Sequence, residues 1–375
     1  MEIFFNKPVF KGNELKYIEK VLTSRLVSGD GDFTKRCHEW FVKQTSCRSA
    51  LLTTSCTHAL DMTAILIGIQ PGDEVILPSY TFSSTANAFV LQGARVVFVD
   101  IREDTLNLDE KLIEEAITDK TRAIIPVHYA GVSCEMDAIL KIADKHRLFV
   151  IEDAAQGMLA TYHDRALGSI GDFGCYSFHE SKNYTCGEGG VLLLNNNKFI
   201  KNAEILREKG TNRTEFFRGE VDKYSWMDMG SSYLPSEILA AVLLAQLERA
   251  EELTAKRLAA WERYHDMLAP LEEQGLLQRP RIPKHCRHNA HIYYILLPDK
   301  KRRDSLAALL RKEKINALTH YVPLHSAPAG KKYGRIASEL NVTDNVAGRI
   351  LRLPMHAALT VNEQETVVTN IKKFQ

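Results

Sequence analysis

The run Leu148-Phe149-Val150-Ile151-Glu152-Asp153-Ala154-Ala155-Gln156 decides the fold. Four large apolar residues in succession, without polar alternation, suit a strand buried on both faces. Val96-Val97-Phe98-Val99 repeats the signature. Further strands are predicted near 50–54, 74–78, 94–100, 122–128, 174–178 and 190–194, with 148–153 completing the set. Candidate helices at 57–67, 84–91, 108–116, 135–145 and 198–209 lie between most of them. Such alternation predicts an α/β fold, a mostly parallel sheet of seven strands with helices on both faces. Too few residues separate 174–178 from 190–194 for a crossover helix, so the sheet should be mixed.

Beyond Pro235 the pattern changes. Residues 238–268 read as one long helix, with apolar positions three and four apart. The loop Arg279-Pro280-Arg281-Ile282-Pro283 follows, then a strand at 291–297 and helices at 304–313 and 362–374. The expected division is a large domain over residues 1–250 and a smaller C-terminal α+β domain over 251–375.

Apolar residues make up 45% of the 375 and charged residues 25%, which allows a substantial buried core. A net charge of +1 gives no reason to expect nucleic acid or an acidic membrane as partner. The basic cluster Lys300-Lys301-Arg302-Arg303 runs into Asp304 and reads as a solvated helix start. Seven cysteines, odd in number and without a CxxC pair, argue for free thiols and against a disulfide framework or a metal centre. Met1 to Pro8 lacks a basic segment followed by an apolar one, and no apolar run approaches the roughly 18 residues of a membrane span. A cytoplasmic location is the expectation.

About thirty residues beyond Asp153, Lys182 lies in Ser177-Phe178-His179-Glu180-Ser181-Lys182-Asn183, between two strand-like runs. A lysine on a tight loop can form a Schiff base with a carbonyl cofactor, and an acid at a neighbouring strand end can hold a pyridinium proton. Pyridoxal phosphate (PLP) chemistry needs those two groups most. Ligands of open α/β sheets bind at the carboxyl ends of strands. Thr53-Thr54-Ser55-Cys56-Thr57 joins a strand to a helix, so Cys56 and Thr57 are candidates for the cofactor phosphate. The bland alternative makes Ser55 or Thr57 an N-cap only. In Pro78-Ser79-Tyr80-Thr81-Phe82, Phe82 rather than Tyr80 is chosen to lie on a pyridine ring, against a core Phe. Asp153 would pair with the ring nitrogen, or else with an Arg or Lys. Gln156 would reach the phenolic oxygen, and Ser177 would add a hydroxyl to the phosphate cup. Gly187, Gly189 and Gly190 let the backbone turn back into the sheet.

These segments, together with Ser55-Cys56-Thr57-His58-Ala59-Leu60, Gly187-Glu188-Gly189-Gly190 and Leu353-Pro354-Met355-His356, resemble the DegT/DnrJ/EryC1/StrS sugar aminotransferases. The resemblance spans nearly the whole chain and implies the type I PLP-dependent transferase fold. It implies Lys182 as the cofactor lysine, Asp153 at the pyridine nitrogen, Phe82 on the ring and phosphate contacts from Cys56, Thr57 and Ser177. It further implies a homodimer with shared sites; Ser232 stands where the family has an Asn that reaches the neighbour's phosphate. The implied substrates are L-glutamate and a nucleotide-linked ketosugar, C4 of a dTDP sugar first and a UDP-linked or 3-keto sugar as the alternative. Arg213, Lys223 and Tyr224 are candidates for the nucleotide phosphates, and His320, Tyr321 and His325 for the sugar. Relatives that dehydrate sugars carry histidine in place of this lysine, so Lys182 weighs against that activity. A catalytically silent PLP-fold regulator is the reading from a different class, although no residue needed for chemistry is lost.

Overall fold

The computed structural model describes residues 2–374. The strands, in chain order, are β1 (Ser49–Thr53), β2 (Glu74–Pro78), β3 (Arg95–Val99), β4 (Thr121–Ile124), β5 (Phe149–Asp153), β6 (Thr161–Tyr162) and β7 (Arg165–Ala166). They continue with β8 (Phe173–Ser177), β9 (Gly190–Leu194), β10 (Cys286–Arg287), β11 (Tyr293–Leu296), β12 (Gly334–Ile336) and β13 (Ile350–Leu353). The principal sheet has eight strands in the order β1-β9-β8-β5-β4-β2-β3-β12. Only β9 runs antiparallel to its neighbours β1 and β8, so the predicted mixed sheet is observed. One correction concerns strand number: the seven expected strands are joined by β12, three residues long, which pairs parallel with β3. A strand that short depends on its partner's edge and carries no pattern of its own.

Every residue of β2 and β9 is buried, as is all of β5 except Phe149, because helices cover both faces. Four helices of the first half matter for the site and its frame: α1 (Glu14–Ser24), α2 (Asp32–Thr45), α3 (Cys56–Leu66) and α4 (Ser83–Val90). The long helix expected at 238–268 is two helices, Glu237–Leu247 and Ala250–Glu273. The apolar period passes through the break unaltered, but the burial does not. The first piece is buried nearly all round against α1 and α2, whereas the second packs one face against the C-terminal helix Val361–Phe374. That C-terminal region has its own core, in which Tyr264, Tyr293, Leu306, Leu310, Leu351, Leu353 and Ile371 are fully buried. Among the described residues no helix is long and apolar enough to cross a membrane.

Candidate functional site

Sheet register brings the carboxyl-end residues together. Thr53 and Ser177 both pair with Gly190, and Asp153 pairs with Cys175 one strand over. A side chain at position 190 could not be housed, since a Cβ there would lie 2.4 Å from the Cys56 amide nitrogen. The returning chain therefore passes directly beneath the N-terminus of α3. Ser55 caps that helix, its Oγ accepting from the His58 amide at 3.1 Å, so the bland reading of Ser55 is correct. The cap leaves the first-turn amides of Cys56 and Thr57 outside the helical ladder. Thr57 Oγ1 and Ser84 Oγ, 2.8 Å apart, add hydroxyls from α3 and α4. Ser177 accepts weakly from the His179 amide at 3.5 Å. Amides, hydroxyls and a helix dipole suit a phosphate.

Asp153 is 6% exposed at the end of β5. One carboxylate oxygen accepts from Thr85 Oγ1 at 2.7 Å and the other from the Ala155 amide at 3.1 Å. Among the described residues it forms no ion pair, so the alternative of a salt bridge to Arg or Lys is not realised. A buried carboxylate with two neutral donors and no cation has room for a protonated ring nitrogen. The preceding residue, Glu152, faces the other side and is fully enclosed. It accepts from His128 Nε2 at 2.8 Å and from the amides of Gly168, Ile170 and Gly171 at 2.7, 2.6 and 2.7 Å. Those bonds fix the strand end from which Asp153 projects.

Lys182 is half-buried, and its Nζ has no hydrogen bond or ion pair among the described residues, although its amide donates to the His179 carbonyl at 2.9 Å. Burial holds its pKa below the ordinary lysine range; Cys56 and Asp153 oppose the shift, while the Arg352 guanidinium adds to it. Burial and the nearby positive charges also keep His291 and His320 neutral, pushing both well below the imidazole range. Phe82 is 60% exposed whereas Tyr80 is 1% exposed, which excludes a core role for the first and assigns one to the second. Gln156 is held from two sides: Oε1 accepts from the Ala130 amide at 2.7 Å and Nε2 donates to Tyr321 at 3.1 Å. Together these features fit PLP.

Lys182, Asp153, Cys56, Gln156, His320 and Tyr321 thus converge, through contacts or mutual fields. His325 is not brought into contact with them: its Nδ1 lies 2.7 Å from Ser79 Oγ, just past the end of β2, and its Nε2 lies 3.4 Å from Asp344. Arg213, Lys223 and Tyr224 do not join the group. Arg213 pairs with Glu208 at 3.1 Å and lies over Phe217, while Tyr224 packs on Phe216 and Lys223 is exposed. Ser232 is exposed, one residue before Tyr233, whose carbonyl accepts from the Thr54 amide at 3.0 Å. Sequence reasoning missed Tyr129, His291 and Arg352. The one available signal was an arginine inside the apolar run Ile350-Leu351-Arg352-Leu353.

A sequence profile of the DegT/DnrJ/EryC1/StrS aminotransferase family matches residues 8–372. The spore coat polysaccharide biosynthesis protein SpsC of Bacillus subtilis (strain 168) is 32% identical over 376 residues, covering 98% of this chain and 96% of SpsC. The aminotransferase TlmJ from Streptoalloteichus hindustanus superposes with a TM-score of 0.92 at 27% identity, over 100% of this chain and 99% of TlmJ. Spr1654 from Streptococcus pneumoniae, in its PMP form, gives 0.90 at 26% identity over 100% and 98% of the two chains; it is also solved in a PLP form. Structures in PLP and PMP forms imply PLP as the cofactor of the family.

Proposed function

The chain belongs to the DegT/DnrJ/EryC1/StrS aminotransferase family, whose members are PLP-dependent sugar aminotransferases, and from that premise we propose its reaction. An amino group moves from L-glutamate to C4 of dTDP-4-dehydro-6-deoxy-D-glucose, giving dTDP-4-amino-4,6-dideoxy-D-galactose for enterobacterial common antigen synthesis. The observation that carries amino transfer is Lys182, an unpartnered amine of depressed pKa beside a buried, cation-free Asp153. The choice of sugar is supported by resemblance to the transaminase of that pathway in Glu208-Lys209-Gly210-Thr211-Asn212-Arg213, Phe216-Phe217-Arg218-Gly219, Val221-Asp222-Lys223-Tyr224 and Gly230-Ser231-Ser232-Tyr233-Leu234-Pro235.

When bound, PLP supplies an electron sink for the carbon that loses its proton. The chain does the rest. Cys56, Thr57 and Ser177 would hold its phosphate, Phe82 would cover its ring, Gln156 would meet its phenolic oxygen, and Asp153 would hold its ring nitrogen protonated. Lys182 Nζ takes the proton from the donor carbon and, in the second half-reaction, delivers one to C4 of the sugar. Tyr80, Tyr129, His320 and Tyr321 form an aromatic wall that excludes water from this transfer. His320, Tyr321 and His325 line the sugar side, while Arg213, Lys223 and Tyr224, on the 213–229 segment, serve the nucleotide. A homodimer is supported by the exposure of Phe217, Trp226 and Met229 on that segment, since clustered apolar surface of this kind marks an interface. Ser232 then reaches the neighbour's phosphate.

A panel of ketosugar nucleotides with L-glutamate as donor tests the reading. Aminated product is expected from dTDP-4-dehydro-6-deoxy-D-glucose. Product only from a UDP-linked or 3-keto sugar would overturn the substrate while leaving amino transfer standing.

A further inference from the structure

Asn183, Arg257 and His291 have no role in the reaction as written, yet they meet where the C-terminal region touches the loops of Lys182 and Gln156. Asn183 follows Lys182 directly. Its Nδ2 donates to the Asn289 carbonyl at 3.0 Å, and its Oδ1 lies 2.9 Å from His291 Nδ1. A carbonyl only accepts, so the amide orientation is fixed and Oδ1 takes a proton from the imidazole. Burial keeps that ring neutral, which places its one proton on Nδ1. Asn289, 1% exposed, closes the network. Its Oδ1 accepts from the His291 amide at 3.1 Å, and its Nδ2 donates to the carbonyls of Gln156 and Met158, both at 2.8 Å. The chain at 289–291 thus grips the backbone on both sides of the site. Holding it there is unfavourable in two ways. Ala290 has a φ of +51°, a left-handed conformation that strains an alanine. Arg257, 3% exposed and without an ion pair among the described residues, donates from Nε to the Ala290 carbonyl at 3.1 Å and from Nη2 to the His291 carbonyl at 2.8 Å. Strain and a buried charge in one segment, bonded to the residue after Lys182, point to a geometry that serves the site.

We propose that Asn183 and His291 form a positioning pair for Lys182, an inference that rests on the amino-transfer reading above. Nζ has no hydrogen bond or ion pair among the described residues, so nothing at its tip orients the lysine. Its direction comes from the backbone at its base. The two bonds made by the Asn183 side chain fix the torsions of residue 183 and with them the peptide from which Lys182 projects. The lysine has to reach the cofactor carbonyl and then deliver protons to carbon, tasks that depend steeply on direction. A misdirected amine loses rate and not substrate affinity.

Substitutions on both sides of the bond test it. His291→Asn puts an amide donor where Nδ1 stands, whereas His291→Gln can put one only near Nε2. Asn183→Ala removes the acceptor, and a double variant combines it with His291→Gln. The readouts are the glutamate half-reaction of the holoenzyme, followed by absorbance, and the rate at which the apoenzyme captures added PLP. His291→Gln and Asn183→Ala should each slow both on the order of 10- to 100-fold. Half-saturating glutamate should stay within about threefold of wild type. His291→Asn should restore both rates to within about threefold, and the double variant should be no slower than the worse single one. Wild-type rates in Asn183→Ala, retention by His291→Gln with loss in His291→Asn, or losses that multiply in the double variant would each overturn the pairing. Equal losses in every variant with a lowered thermal midpoint would overturn it too, by reducing the network to a structural one. A wild-type protein whose spectrum answers no amino acid would instead sink the amino-transfer reading beneath it.

Discussion

Lys182→Ala is expected to lose multiple turnover, a fall on the order of 10⁴-fold or more, and to remain folded. Both halves of that expectation come from the same observation. Nζ has no partner among the described residues, so truncation leaves no buried group unsatisfied. The loop is held instead by backbone and hydroxyl bonds: Phe178 N to Gly189 O at 2.8 Å, Cys186 N to Phe178 O at 3.1 Å and Thr185 Oγ1 to Phe178 O at 2.9 Å. A thermal midpoint near that of wild type, with no product beyond one equivalent, is the predicted pair of results. The pKa adds a direction in pH. Burial favours the neutral amine, so Lys182 in the apoenzyme deprotonates below the usual 10.5. Its capture of added PLP should therefore rise with pH to a plateau reached below that value.

Asp153→Asn carries the next largest effect, roughly 10²- to 10⁴-fold on both half-reactions. The asparagine keeps the size and can still accept from Thr85, so the strand end anchored by Glu152 stays in place. The negative charge is lost. A ring nitrogen that is not held protonated withdraws electrons poorly, whichever substrate has given up its proton, and the two half-reactions should slow together. Stopped-flow absorbance, with glutamate on one form and ketosugar on the other, separates them. Rates within a few-fold of wild type in both would show that the carboxylate is structural.

The sheet was legible because its information is local. Leu148 to Ile151 and Val96 to Val99 are apolar without alternation, and only a strand covered on both faces tolerates that. Phe82 and Tyr80 differ in burial, 60% against 1% exposed, because Phe82 sits at the mouth of a helix, where an aromatic can stay uncovered. The rest needed tertiary context. No residue at 248–249 announces the helix break; the second helix begins in the same core as the first, through Ala250 and Leu253, and its buried residues enter the C-terminal core only from Ala260 onward. β12 exists because β3 offers an edge. Arg352 reads as a surface charge until Leu351 and Leu353 are seen to point the other way, toward the C-terminal core. Arg213 looks free in sequence but is already paired with Glu208.

The most direct test is chemical. Borohydride reduction of the PLP-loaded protein, followed by proteolysis and peptide mapping, should leave a single pyridoxyl group on the peptide that contains Lys182. A label on a different lysine, or none despite bound cofactor, would contradict the account at its centre.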